Sequence, residues 1–451
     1  MNKYEFKEHK QGIYKNENNT FEVVSLGNCV TTLTKNELLC YLCADGATSI
    51  EEIKANICEF YSFTELSKLE IENIIRKLIS IGLLIQCPIK KELHKHVSFN
   101  KSLLKQIDLP VKKRTILSIA DIELSITDLC PFKCTYCSKK ENITNKEYIS
   151  IDEWKKVIKD AYTIGANGIK LTGGEPLHPE AIDKTLELAK FAKIQGYNRI
   201  VLLTSGYHLD RNIRKIVEAG ITEISISYNM INSHQEDRIR NQYVENHFDS
   251  FLILKEYNIK LNLCCVLNKE SILLVDKVLQ FALDKGVDCI HFFPVMPVGQ
   301  AKFDWENHKL DVNTLRNTMK YLETKREELK EKIYISAEQM YLSKKENISV
   351  GCEALNYWTY ISEDGYVGSC ACAELSGENI KKKSIIKIWR DSIYFESLRS
   401  FNDDNECQKC RDRKYCVNNC YLRLLQKDKN NMIYNINNCF YKRANRKQMD
   451  L

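Results

Sequence analysis

No uninterrupted apolar run in the 451 residues approaches the ~18 needed to cross a bilayer. The opening Met1-Asn2-Lys3-Tyr4-Glu5 leads into polar sequence and lacks the apolar core of a secretion signal. Charge of one sign is not in excess either. Against 66 basic side chains stand 60 acidic ones, and the resulting +6 permits a basic groove without demanding nucleic acid as a partner. Global disorder is excluded because 44% of the residues are apolar. The expectation is a cytoplasmic protein of about three domains, with neither membrane nor nucleic acid among its partners.

What the chain holds in quantity is cysteine, nineteen in all. A reducing compartment turns such a number towards metal ligation rather than disulfides. Three sit in Cys130-Pro131-Phe132-Lys133-Cys134-Thr135-Tyr136-Cys137, and eight lie beyond residue 350. The first group directly follows the apolar run Ile122, Leu124, Ile126, so a strand delivers a loop of three thiols. Thiolates suit iron–sulfur clusters and zinc alike, and a cubane bound by three of them keeps one iron open. A zinc knuckle with a fourth ligand elsewhere is the alternative.

Residues 10–90 read as a small α+β module: strands at Gly12–Tyr14 and Phe21–Leu26, then three helices. Thr34 caps the first, Ser49 with Glu52 opens the second over Ile50–Phe60, and the third runs Leu69–Ile81 and stops at Gly82. This is a winged-helix-like outline, with plain packing or dimerisation as the simpler reading. Its third helix, with Lys68, Arg76 and Lys77 as its basic residues, is a poor reader of phosphates. Leu103–Ile116, with Lys112-Lys113-Arg114, reads as a solvated linker. From Ile122 onward strand and helix patterns alternate, with strands expected at 122–126, 169–172, 200–204, 224–228, 261–267 and 289–295. Six such repeats imply a parallel sheet closed or partly closed into a barrel, whose chemistry lies at the C-terminal strand ends. The second strand ends in Thr172-Gly173-Gly174-Glu175-Pro176. Its glycines permit close approach to the backbone, and Glu175 offers a carboxylate to a cationic amine.

This combination resembles the radical S-adenosylmethionine enzymes. Their cluster motif matches Cys130, Cys134 and Cys137 with Tyr136 before the last cysteine, and their glycine motif matches Gly173-Gly174-Glu175-Pro176. The resemblance implies an α/β fold, a partial (β/α)6 TIM barrel. In it an open iron chelates S-adenosylmethionine, and one electron yields a 5′-deoxyadenosyl radical that abstracts hydrogen from a substrate. It also implies that Gly173 and Gly174 face the methionine amine and that Ser227 reaches the ribose. Thr204-Ser205-Gly206 stands at the family's Thr-Asn-Gly position with Ser205 as the departure. Asn229 replaces a frequent aspartate, and Pro297-Val298-Gly299-Gln300-Ala301 matches the loop after the sixth strand.

Downstream, Cys352, Cys370, Cys407, Cys410, Cys416, Cys420 and Cys439 form a ligand set too regular for core packing; a zinc ribbon accounts for Cys407, Cys410, Cys416 and Cys420 alone. The whole pattern resembles the SPASM extension, which implies two auxiliary 4Fe-4S clusters and hence three in the chain. By that resemblance one takes Cys407, Cys410, Cys416 and Cys439. The other takes Cys352, Cys370 and Cys420, its fourth position open or filled by Cys372. With it, the N-terminal module resembles the PqqD-like leader-recognition element of peptide maturases, which binds a leader peptide by strand addition. The domains expected are a leader-recognition domain (1–95), a basic linker (96–117), the barrel (118–310), a bridging helical region (311–349) and SPASM (350–451). The function expected is a maturase, similar to sactipeptide and ranthipeptide enzymes, forming a thioether in a ribosomally made precursor peptide. An external flavodoxin- or ferredoxin-type protein supplies the electron. Carbon–carbon linkage, epimerisation, decarboxylation and sulfatase formylglycine formation are alternatives on the same scaffold. Cys264, Cys265 and Cys289 are the barrel thiols an epimerase would draw on. A DNA-binding iron–sulfur or zinc regulator is the alternative outside enzymes.

Overall fold

The computed structural model describes residues 2–6, 12–25, 29–60, 66–88, 101–139, 147–231, 233–337, 354–373, 375–400, 425–428 and 431–434. Strands β1 (Asn2–Phe6), β2 (Gly12–Lys15), β3 (Phe21–Ser25) and β4 (Cys29–Leu33) come first. Helices α1 (Lys35–Ala44), α2 (Ile50–Phe60) and α3 (Lys68–Ser80) and strand β5 (Leu84–Pro88) follow. The helices begin where side chains replace missing backbone partners. Thr34 with Glu37 and Ser67 with Glu70 form reciprocal capping boxes. Ser49 accepts the Glu52 amide at 3.1 Å, while Glu52 reaches back to the Thr48 amide at 2.7 Å. Leu38, Leu42, Ile53, Ile71, Ile75 and Leu78 close a core of their own.

The segment expected as a solvated linker belongs to that core. Leu103, Leu104, Ile107 and Leu117 are buried in it, and β6 (Thr115–Ile116) pairs with β2, completing an antiparallel sheet of order β4-β3-β2-β6. Two of its basic residues are anchored: Arg114 lies 3.8 Å from the Tyr14 ring centroid and 2.7 Å from Glu22, and Lys113 pairs with Glu396 at 2.7 Å. The apolar spacing 103, 104, 107 is helical, and the charges around it masked that pattern.

The barrel follows as β7 (Asp121–Ser125), α4 (Ile151–Thr163), β8 (Gly168–Thr172), α5 (Ile182–Gln195), β9 (Arg199–Thr204) and α6 (Leu209–Ala219). It continues with β10 (Glu223–Ser227), α7 (Gln235–Phe251), β11 (Lys260–Leu267), α8 (Val275–Asp284) and β12 (Cys289–Pro294). All six strands pair in parallel and in sequence order. One strand face, with Ile122, Leu124, Ile169, Leu171, Ile200, Leu202, Ile224 and Ile226, packs on the helices. The opposite face is polar. At its N-terminal end Arg199 bridges Asp121 at 3.0 Å and Glu223 at 3.1 Å.

The sheet runs on past the six strands to ten. After α9 (Trp305–His308) and α10 (Val312–Leu329), β13 (Tyr334–Ser336) joins β12 in parallel, so the bridging region contributes a strand as well as a helix. At the other edge β14 (Trp358–Ile361) lies parallel to β7, and β15 (Tyr366–Gly368) and β16 (Leu375–Asn379) continue as an antiparallel meander. Helices α11 (Ile385–Asp391) and α12 (Ile393–Ser400) fold back, and the Trp389 indole donates to the Ser118 carbonyl at 3.0 Å. A hairpin of β17 (Leu425–Asp428) and β18 (Asn431–Tyr434) closes the described chain.

Candidate functional site

The loop after β7 carries Cys130, Cys134 and Cys137 at the C-terminal end of the sheet, and three separate elements clamp it. The first clamp is the turn after β8. The Gly174 amide donates to Thr127 O at 2.6 Å and the Glu175 amide to Leu129 O at 2.7 Å. A Cβ on Gly173, whose φ is +149°, would meet Thr127 O at 2.3 Å, and one on Gly174 would meet Leu129 O at 2.3 Å. The backbone that needs the glycines is thus the cysteine loop itself, a partner the sequence reading did not name.

Glu175 also departs from expectation. It is fully buried, and its Oε1 accepts from the Leu177 amide at 2.9 Å and the Thr204 hydroxyl at 2.7 Å. Its Oε2 accepts from the Ser205 amide at 2.8 Å and from the Ser205 hydroxyl. Four donors fill the roughly four accepting positions of a carboxylate, so within this arrangement Glu175 braces β8 to β9 rather than waiting for an amine. Burial pushes its pKa up, against the pull of those hydrogen bonds. Ser205 is its partner, and Ser227 stands half-buried at the end of β10, level with Cys264 on β11.

The second clamp is the loop after β12. The Gln300 amide donates to Cys137 O at 2.8 Å, and a Cβ on Gly299, at φ +56°, would meet that same oxygen at 2.3 Å. The third is helix α7. The Thr135 hydroxyl donates to Asp237 Oδ2 at 2.6 Å, and Arg240 Nη1 donates to Cys134 Sγ at 3.6 Å. Tyr136 is buried with the Arg240 guanidinium 5.3 Å from its ring centroid. Burial raises all three thiol pKa values, that of Cys130 to about 12. Three thiols on one loop could serve as ligands that a cation would deprotonate on binding, with release of protons; among the described residues no three His, Cys, Asp or Glu side chains already converge on one point. The donor chemistry fits an iron–sulfur cluster, and the N–H···S bond to Cys134 is the outer support such ligands use.

Behind the loop, Lys139 donates to Ser125 Oγ at 2.6 Å and Tyr360 Oη at 2.7 Å, and pairs with Glu363 at 3.3 Å. It ties the loop to β14. Of the downstream cysteines, Cys370 and Cys372 are described, both half-buried just after β15. Cys352, Cys407, Cys410, Cys416, Cys420 and Cys439 lie outside the described residues. Sequence reasoning missed Asp237, Arg240 and Lys139, which read as solvated charges. The signal for the first two was a helical repeat, since Asp237, Arg240, Asn241, Val244, Phe248 and Phe251 form the buried stripe of α7.

Residues 124–296 match the family described as the Radical SAM superfamily, and residues 352–411 match SPASM, an iron–sulfur cluster-binding domain. The chain therefore carries a radical SAM domain and an SPASM domain, and it is a radical SAM enzyme. That class implies a 4Fe-4S cluster and S-adenosylmethionine, and SPASM implies further iron–sulfur binding. A GTP 3′,8-cyclase of Clostridium perfringens (strain 13 / Type A) is 30% identical over 193 residues, which are 40% of this chain and 57% of that protein. A GTP 3′,8-cyclase of Staphylococcus aureus (strain JH9) is 25% identical over 296 residues, 60% of this chain and 84% of that one. Among solved structures, Streptococcus suis SuiB bound to precursor peptide SuiA superposes with a TM-score of 0.61 at 16% identity, covering 95% of this chain and 97% of SuiB. The enzyme anSMEcpe with bound AdoMet and Cp18Cys peptide gives 0.52 at 16% identity, covering 73% of this chain and 98% of its own. No helix among the described residues is long and apolar enough to cross a membrane.

Proposed function

We propose that the protein is a maturase that abstracts hydrogen from a ribosomally made precursor peptide and forms an intramolecular cross-link, a thioether from a cysteine sulfur being the favoured bond. The observation that carries the reading is a barrel-mouth cysteine loop clamped from three sides in one chain with an N-terminal β4-β3-β2-β6 sheet. The fold likeness to SuiB over 95% of the chain supports it. On this reading Cys130, Cys134 and Cys137 hold the first 4Fe-4S cluster. Bound there with S-adenosylmethionine, the cluster would supply a 5′-deoxyadenosyl radical from one donated electron.

The chain's own residues do the rest. Gly173 and Gly174 let the β8 turn lie against the cysteine loop, and there they would face the methionine amine of S-adenosylmethionine. Glu175 holds Ser205 and Thr204 in register with that turn, and Ser227 would reach the ribose. Residues 1–95 would bind the leader, with 101–117 forming part of the same body. The C-terminal domain would carry two more clusters through Cys352, Cys370, Cys407, Cys410, Cys416, Cys420 and Cys439. Each thioether removes two hydrogens: one as an atom to 5′-deoxyadenosine, the other as a proton whose electron needs an acceptor. The C-terminal cysteines would hold an iron–sulfur cluster able to accept that electron, and an external flavodoxin- or ferredoxin-type protein would provide the first electron.

The test is co-expression with the small open reading frame nearest the gene, followed by mass spectrometry. Loss of two hydrogens per linkage, with fragmentation placing a bond at cysteine sulfur, is the expected result. An unchanged peptide mass would remove cross-linking. GTP, the substrate named for the cyclase relatives, is the control and should yield no product.

A further inference from the structure

The buried face of α7 carries a cation to which the proposed function gives no task. Arg240 is 4% exposed. Its Nη2 donates to Asn229 Oδ1 and to Asn241 Oδ1, each at 3.0 Å, and its Nη1 donates to Cys134 Sγ at 3.6 Å. The two amides are themselves fixed. Asn241 Nδ2 donates to Asn229 Oδ1 at 3.1 Å and to Ile231 O at 2.8 Å. Asp237 sits one turn earlier on the helix, but its Oδ2 takes the Thr135 hydroxyl and its Oδ1 has no hydrogen-bond partner. The groups that accept from the guanidinium are therefore two neutral amide oxygens and one sulfur. A buried cation is costly unless anions face it; the Asp237 carboxylate acts on it through space, and the anion within its hydrogen-bond reach would be a Cys134 thiolate.

We propose that Arg240 is a positioning residue that fixes Cys134 and sets the reduction potential of the cluster at the cysteine loop. The proposal rests on the reading that Cys130, Cys134 and Cys137 hold that cluster. Reduction transfers one electron from a low-potential one-electron carrier protein to the cluster; no bond is made or broken, and the cluster with its thiolates becomes more negative by one charge. A fixed positive charge and an N–H···S bond favour the more negative state, so they raise the potential. The amide clamp matters because a guanidinium free to turn towards Asp237 would give up part of that field. Arginine suits the position since its planar fork reaches two oxygens and a sulfur at once, which an ammonium on a flexible stem does not.

The experiment is an EPR-monitored redox titration of the anaerobically reconstituted full-length protein. It follows the part of the reduced signal that S-adenosylmethionine perturbs, which isolates the first cluster. Arg240→Gln keeps a neutral N–H donor and removes the charge. Its equilibrium constant for reduction should fall at least tenfold, equivalent to ~59 mV for a one-electron couple, with wild-type iron content. Arg240→Lys keeps the charge but not the fork, and it should give a smaller shift in the same direction with an altered line shape. Wild-type iron with an unmoved midpoint in Arg240→Gln overturns the proposal. Should that variant hold no iron, Arg240→Lys decides, and an unmoved midpoint with an unmoved line shape overturns it. A wild-type signal that survives Cys134→Ala removes the parent reading of the cysteine loop instead.

Discussion

Glu175 joins two βα turns with a single carboxylate, and its worth can be measured. Replacing it by Gln keeps the shape but turns one acceptor into a donor facing the Ser205 amide and hydroxyl. Leaving such buried groups unpaired costs about 1–3 kcal/mol, so Glu175→Gln should lower chemical-denaturation stability by that order at neutral pH. Burial raises the folded pKa of Glu175 above its ordinary range. An acid with a raised folded pKa binds its proton more tightly in the folded state. Its contribution is complete below the unfolded pKa, about 4.3, and is lost as pH rises through the folded value. The stability gap between wild type and Glu175→Gln should therefore be widest at acid pH and narrow as pH rises. Urea midpoints across that range check this, and a gap that widens towards neutrality would contradict it. Neither the four-donor arrangement nor the Arg240 contact was legible in the sequence. Both depend on which loop faces a polar side chain, and polar residues carry no period that says so.

Between elements, the turn after β8 and the loop after β7 interlock so closely that a methyl group is the natural probe. In Gly174→Ala the new Cβ would meet Leu129 O at 2.3 Å and Asp128 O at 2.6 Å, both backbone atoms that cannot swing aside. Overpacking of this kind costs roughly 1–3 kcal/mol, and here it falls on the segment leading into Cys130. Gly174→Ala should fold, with near-native far-UV circular dichroism, yet take up less iron at the first site on reconstitution. Full iron uptake would show that the interlock does not position the loop. The elements themselves were the most legible part of the chain. The six barrel strands lie within one residue of their expected positions because the residues that pack on the helices are apolar and recur at every second position, the period of a strand. Helix α2 matches its expected bounds, since Ser49 and Glu52 mark its start. Strand β4, with only Val30 and Leu33 strongly apolar, gave no such signal. The meander β14-β15-β16 was hidden because its pairing with β7 spans more than two hundred residues, a long-range fact no local window contains.

At the scale of the whole molecule, the N-terminal module is sewn to the barrel rather than tethered to it. The Leu117 amide donates to Ile13 O at 2.7 Å, Tyr14 Oη donates to Asn356 Oδ1 at 2.9 Å, and Tyr357 Oη donates to Val24 O at 3.1 Å. These bonds gather β2, β3, the lead-in to β7 and the lead-in to β14 into one body. A peptide held by the module would thus be presented from a fixed place, and its ordering cost would fall on the peptide alone. The sheet order β4-β3-β2-β6 leaves β4 as a terminal strand. An edge strand offers a row of unpaired amides and carbonyls that a further strand can complete, and the proposed leader binding would use it. Amide hydrogen exchange measures that directly. Adding the full-length precursor should slow exchange across residues 29–33, whereas the same peptide without its leader should not, and the β17–β18 hairpin should be unaffected by either. Protection confined to the barrel mouth would mean that the core peptide alone is recognised, and the strand-addition role of the module would fall.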